Sequence, residues 1–288
     1  MTFTELNSVE HYIIHQLSSI NLNNENVSLT PLKPCGAKWQ YQSPEQLDRD
    51  ENMVLIESLI KEALVRLNPE ISAKPELADE VIYKLRTILI SVNQVGLVKA
   101  NKEFFMWLTG QKTMPFGESN EHVSVRLIDF DDVSNNQYVI TNQYRIHNKE
   151  TKIPDVVMII NGIPVVVGEA KTPVRPSISW LDGANEVHNI YENAVPQLFV
   201  PNILSFATEG KELFYGSIRC PLEYWAPWRL ETDDEQIAKT LGLGEVGKEL
   251  NDLLRPERLL DILRNDKKNQ IILLTANTNY HLLLKQEK

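Results

Sequence analysis

The chain has 288 residues, a formal net charge of −10, an apolar fraction of 42% and a charged fraction of 24%. Its length suits one large domain or two small ones, and its composition is that of a globular protein. No apolar run approaches the roughly 20 residues that span a bilayer. The acidic charge is a poor match to a free-standing nucleic-acid binder, which usually carries a basic face.

The cellular compartment is indicated by the first residues and by the cysteines. Residues 1–16 are polar and acidic, without the basic and apolar parts of a secretory signal. Cys35 and Cys220 are the only cysteines and lie far apart in the chain, which is typical of free thiols in a reducing compartment. We therefore expect a cytoplasmic protein that does not contact a membrane.

The first half of the chain has the apolar spacing of helices. This spacing predicts helices over residues 4–20, 51–67, 76–92 and 101–109, with a polar loop over 21–45. The period then changes to that of strands, predicted over 124–130, 137–146, 203–208 and 212–218. Further helices are predicted over 180–195 and 246–264. The order predicts an α/β fold, with a mixed central sheet flanked by helices and an N-terminal helical part.

The most informative segment is a predicted hairpin with charged ends. Residues 156–160 and 165–167 are continuous apolar runs, which belong in the middle of a covered sheet, and Asn161-Gly162 is a hairpin turn. Asp155, Glu169 and Lys171 flank these runs. Two carboxylates suit Mg²⁺, to which the main-chain carbonyl of Ala170 can add a ligand, and a lysine can orient an attacking water.

This chemistry places a condition on the hairpin. Strand alternation puts Glu169 and Lys171 on one face. A plain two-residue turn at Asn161-Gly162 would pair Asp155 with Gly168 and leave Asp155 on the opposite face from Glu169. A three-residue turn or a bulge restores a common face. The alternative interpretation is that Glu169 and Lys171 are exposed residues at a strand end.

The segment resembles the PD-(D/E)xK nuclease motif and, more narrowly, the N-terminal nuclease domain of type I restriction enzyme R subunits. The resemblance covers about residues 1–264 and includes separated blocks in the family's order: Ala100-Asn101, residues 127–131, Asn142-Gln143, residues 161–164, residues 198–202, residues 209–211 and residues 256–261. It implies a PD-(D/E)xK restriction-endonuclease-like core that cleaves double-stranded DNA with Mg²⁺, or alternatively Mn²⁺. Asp155 and Glu169 would be the metal ligands and Lys171 the catalytic lysine.

Partners and domain boundaries also follow from the resemblance. It implies an ATP-driven translocase in the same subunit, and modification (M) and specificity (S) subunits that choose the site, which would account for the acidic charge. No Gly-x-x-x-x-Gly-Lys-Ser/Thr phosphate loop occurs, so ATP would serve only the full-length subunit. We expect a mainly helical part over 1–115, the nuclease core over 116–240, and a C-terminal helix and tail over 241–288 leading toward the motor domain.

Further site residues are implied but not decided. An early helix in such folds often supplies another acidic residue, for which Glu10 and Glu57 are both candidates. The family usually has Gln-x-x-x-Tyr on the helix after the lysine, where it is thought to place DNA. Here Glu186 and Tyr191 are the candidates. Anchoring on Tyr191 leaves Val187 in the glutamine position, and anchoring on Glu186 leaves Ile190 in the tyrosine position, so neither register gives the full motif.

Three functions are compatible with these sequence features. The leading hypothesis is a type I site-specific deoxyribonuclease, namely the metal-dependent endonuclease domain of an R subunit without its translocase part. The second is an inert module that retains the fold for docking to the modification subunits. The third is a stand-alone repair or recombination nuclease of the same superfamily.

Overall fold

The computed structural model describes residues 9–24, 32, 35–172, 174, 177–228 and 245–265. The helices are α1 (His11–Ser18), α2 (Glu57–Leu67), α3 (Pro69–Ala73), α4 (Leu77–Val95), α5 (Leu97–Leu108), α6 (Trp180–Asn185), α7 (Glu192–Ala194), α8 (Glu245–Leu254) and α9 (Pro256–Asn265). A π-helical turn, Glu186–Tyr191, joins α6 to α7. The strands are β1 (Gln40–Tyr41), β2 (Thr113–Met114), β3 (Val123–Ser124), β4 (Tyr138–Asn142), β5 (Ile146–His147), β6 (Thr151–Lys152), β7 (Val156–Ile160), β8 (Ile163–Ala170), β9 (Leu204–Thr208), β10 (Leu213–Gly216) and β11 (Ala226–Pro227).

A seven-stranded sheet in the order β1-β4-β7-β8-β9-β10-β11 forms the centre of the fold. The pairs β1–β4 and β8–β9 are parallel, and the other neighbours are antiparallel. Strands β7 and β8 are central and buried along their whole length, because residues that are apolar on both faces are stable only where both faces are covered. Helix α1 packs against β4, and α6 packs against β8 and β9. The predicted α/β fold with a mixed central sheet is confirmed.

Within the described residues, the buried apolar side chains form one contiguous core. It joins the N-terminal helices, the sheet and the C-terminal helices α8 and α9; for example, the Trp39 indole N–H donates to the Leu254 carbonyl at 2.7 Å. The proposed boundaries near residues 115 and 240 stay predictions, and the predicted tail over 266–288 lies outside the described residues. No helix in the described ranges combines the length and apolarity needed to cross a membrane.

The strand predicted over 124–130 is wrong beyond its first residue. Only Val123–Ser124 pair in a ladder, with Thr113–Met114. Side-chain amides take the backbone groups that a neighbouring strand would otherwise bind. Asn68 accepts the Arg126 N–H at 2.7 Å and donates to the Arg126 carbonyl at 2.9 Å. The segment is therefore ordered without being a strand.

The helices predicted over 51–67 and 246–264 also differ from the structure, whereas residues 4–8 of the helix predicted over 4–20, and residues 25–31 and 33–34 of the predicted loop, lie outside the described residues. Helix α2 begins at Glu57 rather than 51, because the Ile56 N–H donates to the Gly162 carbonyl at 2.9 Å and ties the preceding buried segment to the hairpin turn. The single helix predicted over 246–264 is divided at Arg255 into α8 and α9. Pro256 starts the second helix, since the residue before a proline disfavours helical geometry.

Candidate functional site

The β7–β8 hairpin contains both a tight turn and a bulge. Ile160 pairs with Ile163 across the two-residue turn, whose Asn161 and Gly162 have φ values of 49° and 81°. At the far end, however, Val156 pairs with Gly168, because the register shifts between Met158 and Ile159 and leaves Val165 of β8 as the extra residue. Continuing this register by one residue sets Asp155 opposite Glu169. The bulge that the predicted site requires is present.

Asp155 precedes β7 and is held from two sides. Its Oδ2 accepts the Ala170 N–H at 2.8 Å, and its Oδ1 accepts the Gln143 side-chain amide at 3.2 Å. The same amide nitrogen donates to Glu10 Oε1 at 2.7 Å. Glu10, which is 1% exposed, is thus linked to Asp155 through a single amide. Glu57 is engaged elsewhere, because its carboxylate forms an ion pair with Arg86 of α4.

Gln143 is a site residue that the sequence reasoning missed. It follows β4, which runs antiparallel to β7 with Asn142 opposite Val156, so that Gln143 emerges beside Asp155. Its φ of 49° is left-handed, and its backbone N–H donates to the Asp155 carbonyl at 3.0 Å. Its place in the Asn142-Gln143 block, directly after a buried strand, is the signal that could have identified it.

Glu169 and Lys171 lie on one face at the end of β8, as alternation predicts. Lys171 Nζ lies 2.8 Å from Glu169 Oε1 and also forms an ion pair with Glu186. The Tyr191 hydroxyl donates to Glu169 Oε1 at 3.3 Å. The other carboxylate oxygen of Glu169, Oε2, is buried and has no hydrogen-bond partner in the described part of the chain. This orphaned oxygen is therefore available to a bound cation.

The cluster carries more negative than positive charge. Burial, reinforced by the Asp155 carboxylate, raises the pKa of Glu169 well above its ordinary value. Burial acts to lower the pKa of Lys171, but the Glu169 and Glu186 carboxylates outweigh it and raise that pKa, so the amine is charged. Burial and the same carboxylates raise the pKa of Tyr191, which makes it a neutral hydroxyl donor. A cation bound beside Glu169 would relieve this imbalance.

Helix α6 packs closely on the strands beside Glu169 at Gly183, which has no side chain. A Cβ at Gly183 would lie 3.4 Å from the Glu169 Cβ and 3.3 Å from the Ala207 Cβ. The π turn follows, and it directs Glu186 and Tyr191 to Lys171 and Glu169 respectively. The structure thus brings both candidates to the site, although neither four-residue register of the sequence aligned them.

The donors suit a magnesium site built from few protein ligands. In the described ranges, no three His, Cys, Asp or Glu side chains are grouped to hold a metal ion by themselves. Mg²⁺ commonly takes one or two carboxylates and keeps several waters. Asp155 and the orphaned oxygen of Glu169 match this pattern. The N–H and C=O of a strand residue point to the same edge, so the Ala170 carbonyl faces the side on which its N–H binds Asp155.

Comparison with known proteins gives one consistent family. The sequence model of the type I restriction enzyme R protein N terminus matches residues 22–223. The type I restriction enzyme HindI endonuclease subunit of Haemophilus influenzae is 30% identical over 254 residues, which are 83% of this chain and 23% of that protein. The putative MjaIXP endonuclease subunit of Methanocaldococcus jannaschii is 25% identical over 218 residues, which are 73% of this chain and 20% of that protein.

The chain therefore spans about a quarter or less of the length of these relatives. The family match includes Gln143, Asp155, Glu169, Lys171 and Tyr191, and begins after Glu10. The predicted resemblance is confirmed: the chain belongs to the type I restriction enzyme R proteins and matches their N-terminal region.

Proposed function

We propose that this chain is a Mg²⁺-dependent endonuclease domain that cleaves double-stranded DNA within a type I restriction R subunit. One observation carries the proposal. The Asp155 and Glu169 carboxylates and the Lys171 ammonium, which the sequence separates, meet at one end of the central hairpin because of its bulge. The relatives are named as endonuclease subunits, which supports the proposed cleavage of DNA.

Asp155, Glu169 and the Ala170 carbonyl would hold Mg²⁺ or Mn²⁺. The chemistry that such an ion supplies when bound is activation of a water and neutralisation of charge on the phosphoryl group. The protein's part is to keep the ligands in place. Gln143 and the Ala170 N–H fix the Asp155 carboxylate, and Tyr191 fixes that of Glu169.

Lys171 acts as a donor in this scheme. Its raised pKa keeps the ammonium charged at neutral pH, so it cannot accept a proton from water. It can donate to the attacking water or to a phosphate oxygen, where a charge-assisted hydrogen bond in a buried site stabilises developing negative charge. Removal of one such donor typically slows a reaction by about 100-fold or more.

The delivery of DNA is assigned to partners. A net charge of −10 opposes tight binding to a polyanion. We assign the holding of DNA to the M and S subunits and to an ATP-dependent motor region of the full-length R subunit, of which this chain covers the N-terminal part. In this scheme ATP serves the motor and has no role at the Glu169 site.

The proposal is tested by incubating the chain with supercoiled plasmid and Mg²⁺ or Mn²⁺, beside Lys171→Ala. We expect nicked or linear product from the wild type and at least about 100-fold less from the variant. Equal cleavage by both proteins would contradict the assigned site. If neither cleaves, metal binding separates a nuclease that needs its partners from an inert docking module, which binds none. Cleavage of branched or damaged DNA in preference to plasmid would favour a repair nuclease.

A further inference from the structure

Glu186 and Tyr191 contact the two members of one ion pair. Glu186 pairs with the Lys171 ammonium, and the Tyr191 hydroxyl donates to Glu169 Oε1 at 3.3 Å. Lys171 and Glu169 are themselves 2.8 Å apart. The two outer residues therefore enclose the ion pair from the same helix, and we call them the Glu186–Tyr191 clamp.

The clamp depends on an unusual backbone. On an α-helix, residues three or four apart are neighbours, whereas residues five apart face different directions. Glu186 and Tyr191 are five apart, but the backbone between them is a π turn, in which hydrogen bonds run from residue i to i+5. One extra residue is thereby absorbed within the turn. Without it, one of the two side chains would face away from β8.

Both flanks of the π turn are anchored. Before it, the Trp180 N–H at the start of α6 donates to Glu209 Oε2 at 3.0 Å, and the Trp180 ring stacks on Phe214. After it, the buried Glu192 carboxylate accepts the Arg219 backbone N–H at 3.0 and 3.2 Å, and the Arg219 side chain donates to Asn193 at 2.7 Å. Anchors on both sides mean that the extra residue must be taken up between them.

We propose that Glu186 and Tyr191 are positioning residues, and that the π turn exists to bring them to the Lys171–Glu169 pair. An ammonium has three N–H donors. A single acceptor, Glu169, leaves the ammonium free to turn about that contact, whereas a second acceptor at Glu186 fixes its direction. The third N–H then points in one fixed direction, in which it can donate to the attacking water or to a phosphate oxygen. This consequence for cleavage rests on the proposed nuclease function, whereas the clamp itself does not.

A purely structural role for Glu186 would predict a lower unfolding midpoint when its carboxylate is removed, whereas a positioning role predicts an unchanged midpoint and an effect on Lys171. Its side chain is 33% exposed, and ion pairs near the surface contribute little to stability. Loss of the carboxylate should therefore leave the unfolding midpoint almost unchanged and act on Lys171 alone. The readout must report on the lysine directly.

The direct test is a ¹H–¹⁵N spectrum of the Lys171 ammonium in ¹⁵N-lysine-labelled chain, assigned by its loss in Lys171→Ala. The Lys171 side chain is only 15% exposed, and an ammonium held by two acceptors in such a position exchanges its protons slowly and gives a signal. We expect Glu186→Ala to abolish the signal and Glu186→Gln to retain it, because the amide oxygen still accepts. An unchanged signal in Glu186→Ala would overturn the proposal.

The π turn is tested by deleting Ile190, whose side chain is 40% exposed. The deletion places Glu186 and the tyrosine four residues apart, so a regular α-helix should preserve the clamp and the Lys171 signal. Ile190→Ala is the matched control, since it removes the side chain and keeps the residue count. A folded deletion variant that loses the signal, beside an Ile190→Ala that keeps it, would contradict the role of the π turn.

Cleavage kinetics then connect the clamp to the reaction. Glu186→Ala should lower kcat by about 10- to 100-fold at an unchanged KM for DNA, with recovery in Glu186→Gln. The two proposals fail separately. A wild type that neither binds Mn²⁺ nor cleaves, but whose Lys171 signal responds as expected, would refute the nuclease function and retain the clamp.

Discussion

The Asp155 carboxylate accepts a hydrogen bond from the Ala170 backbone N–H at 2.8 Å, across the adjacent ends of β7 and β8. This contact exists because one extra residue in β8 shifts the register of the hairpin. In a plain hairpin with the same turn, Asp155 would face the opposite side of the sheet from Glu169. The site is therefore set by the backbone of the buried core as well as by its charged residues.

The hairpin turn should be sensitive to a single methyl group. Gly162 has a φ of 81°, and a Cβ there would collide with the Ile56 carbonyl oxygen. We expect Gly162→Ala to lower the free energy of unfolding by about 2 kcal/mol or more, through strain and a clash with the backbone. Urea denaturation measures the change. Gly36→Ala, where a Cβ would meet no atom of the described residues within 4 Å, is the control, and equal losses in both would contradict this account.

The two candidate acidic residues should behave differently toward metal. Glu10 orients Gln143, which in turn orients Asp155, whereas Glu57 is paired with Arg86. Loss of an outer partner of a metal ligand commonly weakens metal binding by 10- to 100-fold. We expect Glu10→Ala, which removes the acceptor for Gln143, to weaken Mn²⁺ binding by about tenfold and Glu57→Ala to leave it unchanged, as measured by calorimetry. Equal effects of the two substitutions would refute the link through Gln143.

Glu192 should make stability depend on pH. Burial raises its pKa to about 7 from an ordinary value of 4.5, although the Arg219 N–H and the Arg219 charge oppose the shift. Between these values the folded chain holds a proton at Glu192 that the unfolded chain has released. Stability therefore falls as pH rises through this window, by about 3 kcal/mol at most.

The comparison that isolates this effect is urea unfolding of wild type and Glu192→Gln at pH 5 and pH 8. Gln cannot ionise, so the variant should lose less stability between the two pH values than the wild type does. Parallel losses would show that Glu192 does not titrate in this range.

The sequence predicted some parts of the site better than others, for physical reasons. Continuous apolar runs and Asn161-Gly162 are sufficient to predict a central hairpin, since burial and turn geometry are local properties. The bulge is not predictable in this way, because Val165 lies among other apolar residues and nothing in the pattern marks it as extra. The shared face of Asp155 and Glu169 could be stated only as a condition.

Other features depend on packing between distant segments. Glu10 contacts Gln143, whereas Glu57 contacts Arg86, and this difference arises from the packing of distant segments. Each glutamate lies at the start of a helix, so the sequence alone does not tell which of them reaches the site. The false strand over 124–130 alternates correctly, but Asn68 takes up the backbone groups of Arg126 that a strand would need. The meeting of Glu186 and Tyr191 required a π turn that helical periodicity does not reveal.

The most direct test of the central claim is a calorimetric titration with Mn²⁺ of the wild type, Asp155→Asn, Glu169→Gln and Lys171→Ala. We predict that the wild type binds the ion, that both carboxylate variants bind it at least about tenfold more weakly, and that Lys171→Ala binds it at least as tightly, because removal of a neighbouring positive charge favours a cation. A wild type that binds no Mn²⁺, or four proteins that bind it equally, would contradict the claim that Asp155 and Glu169 form a metal site.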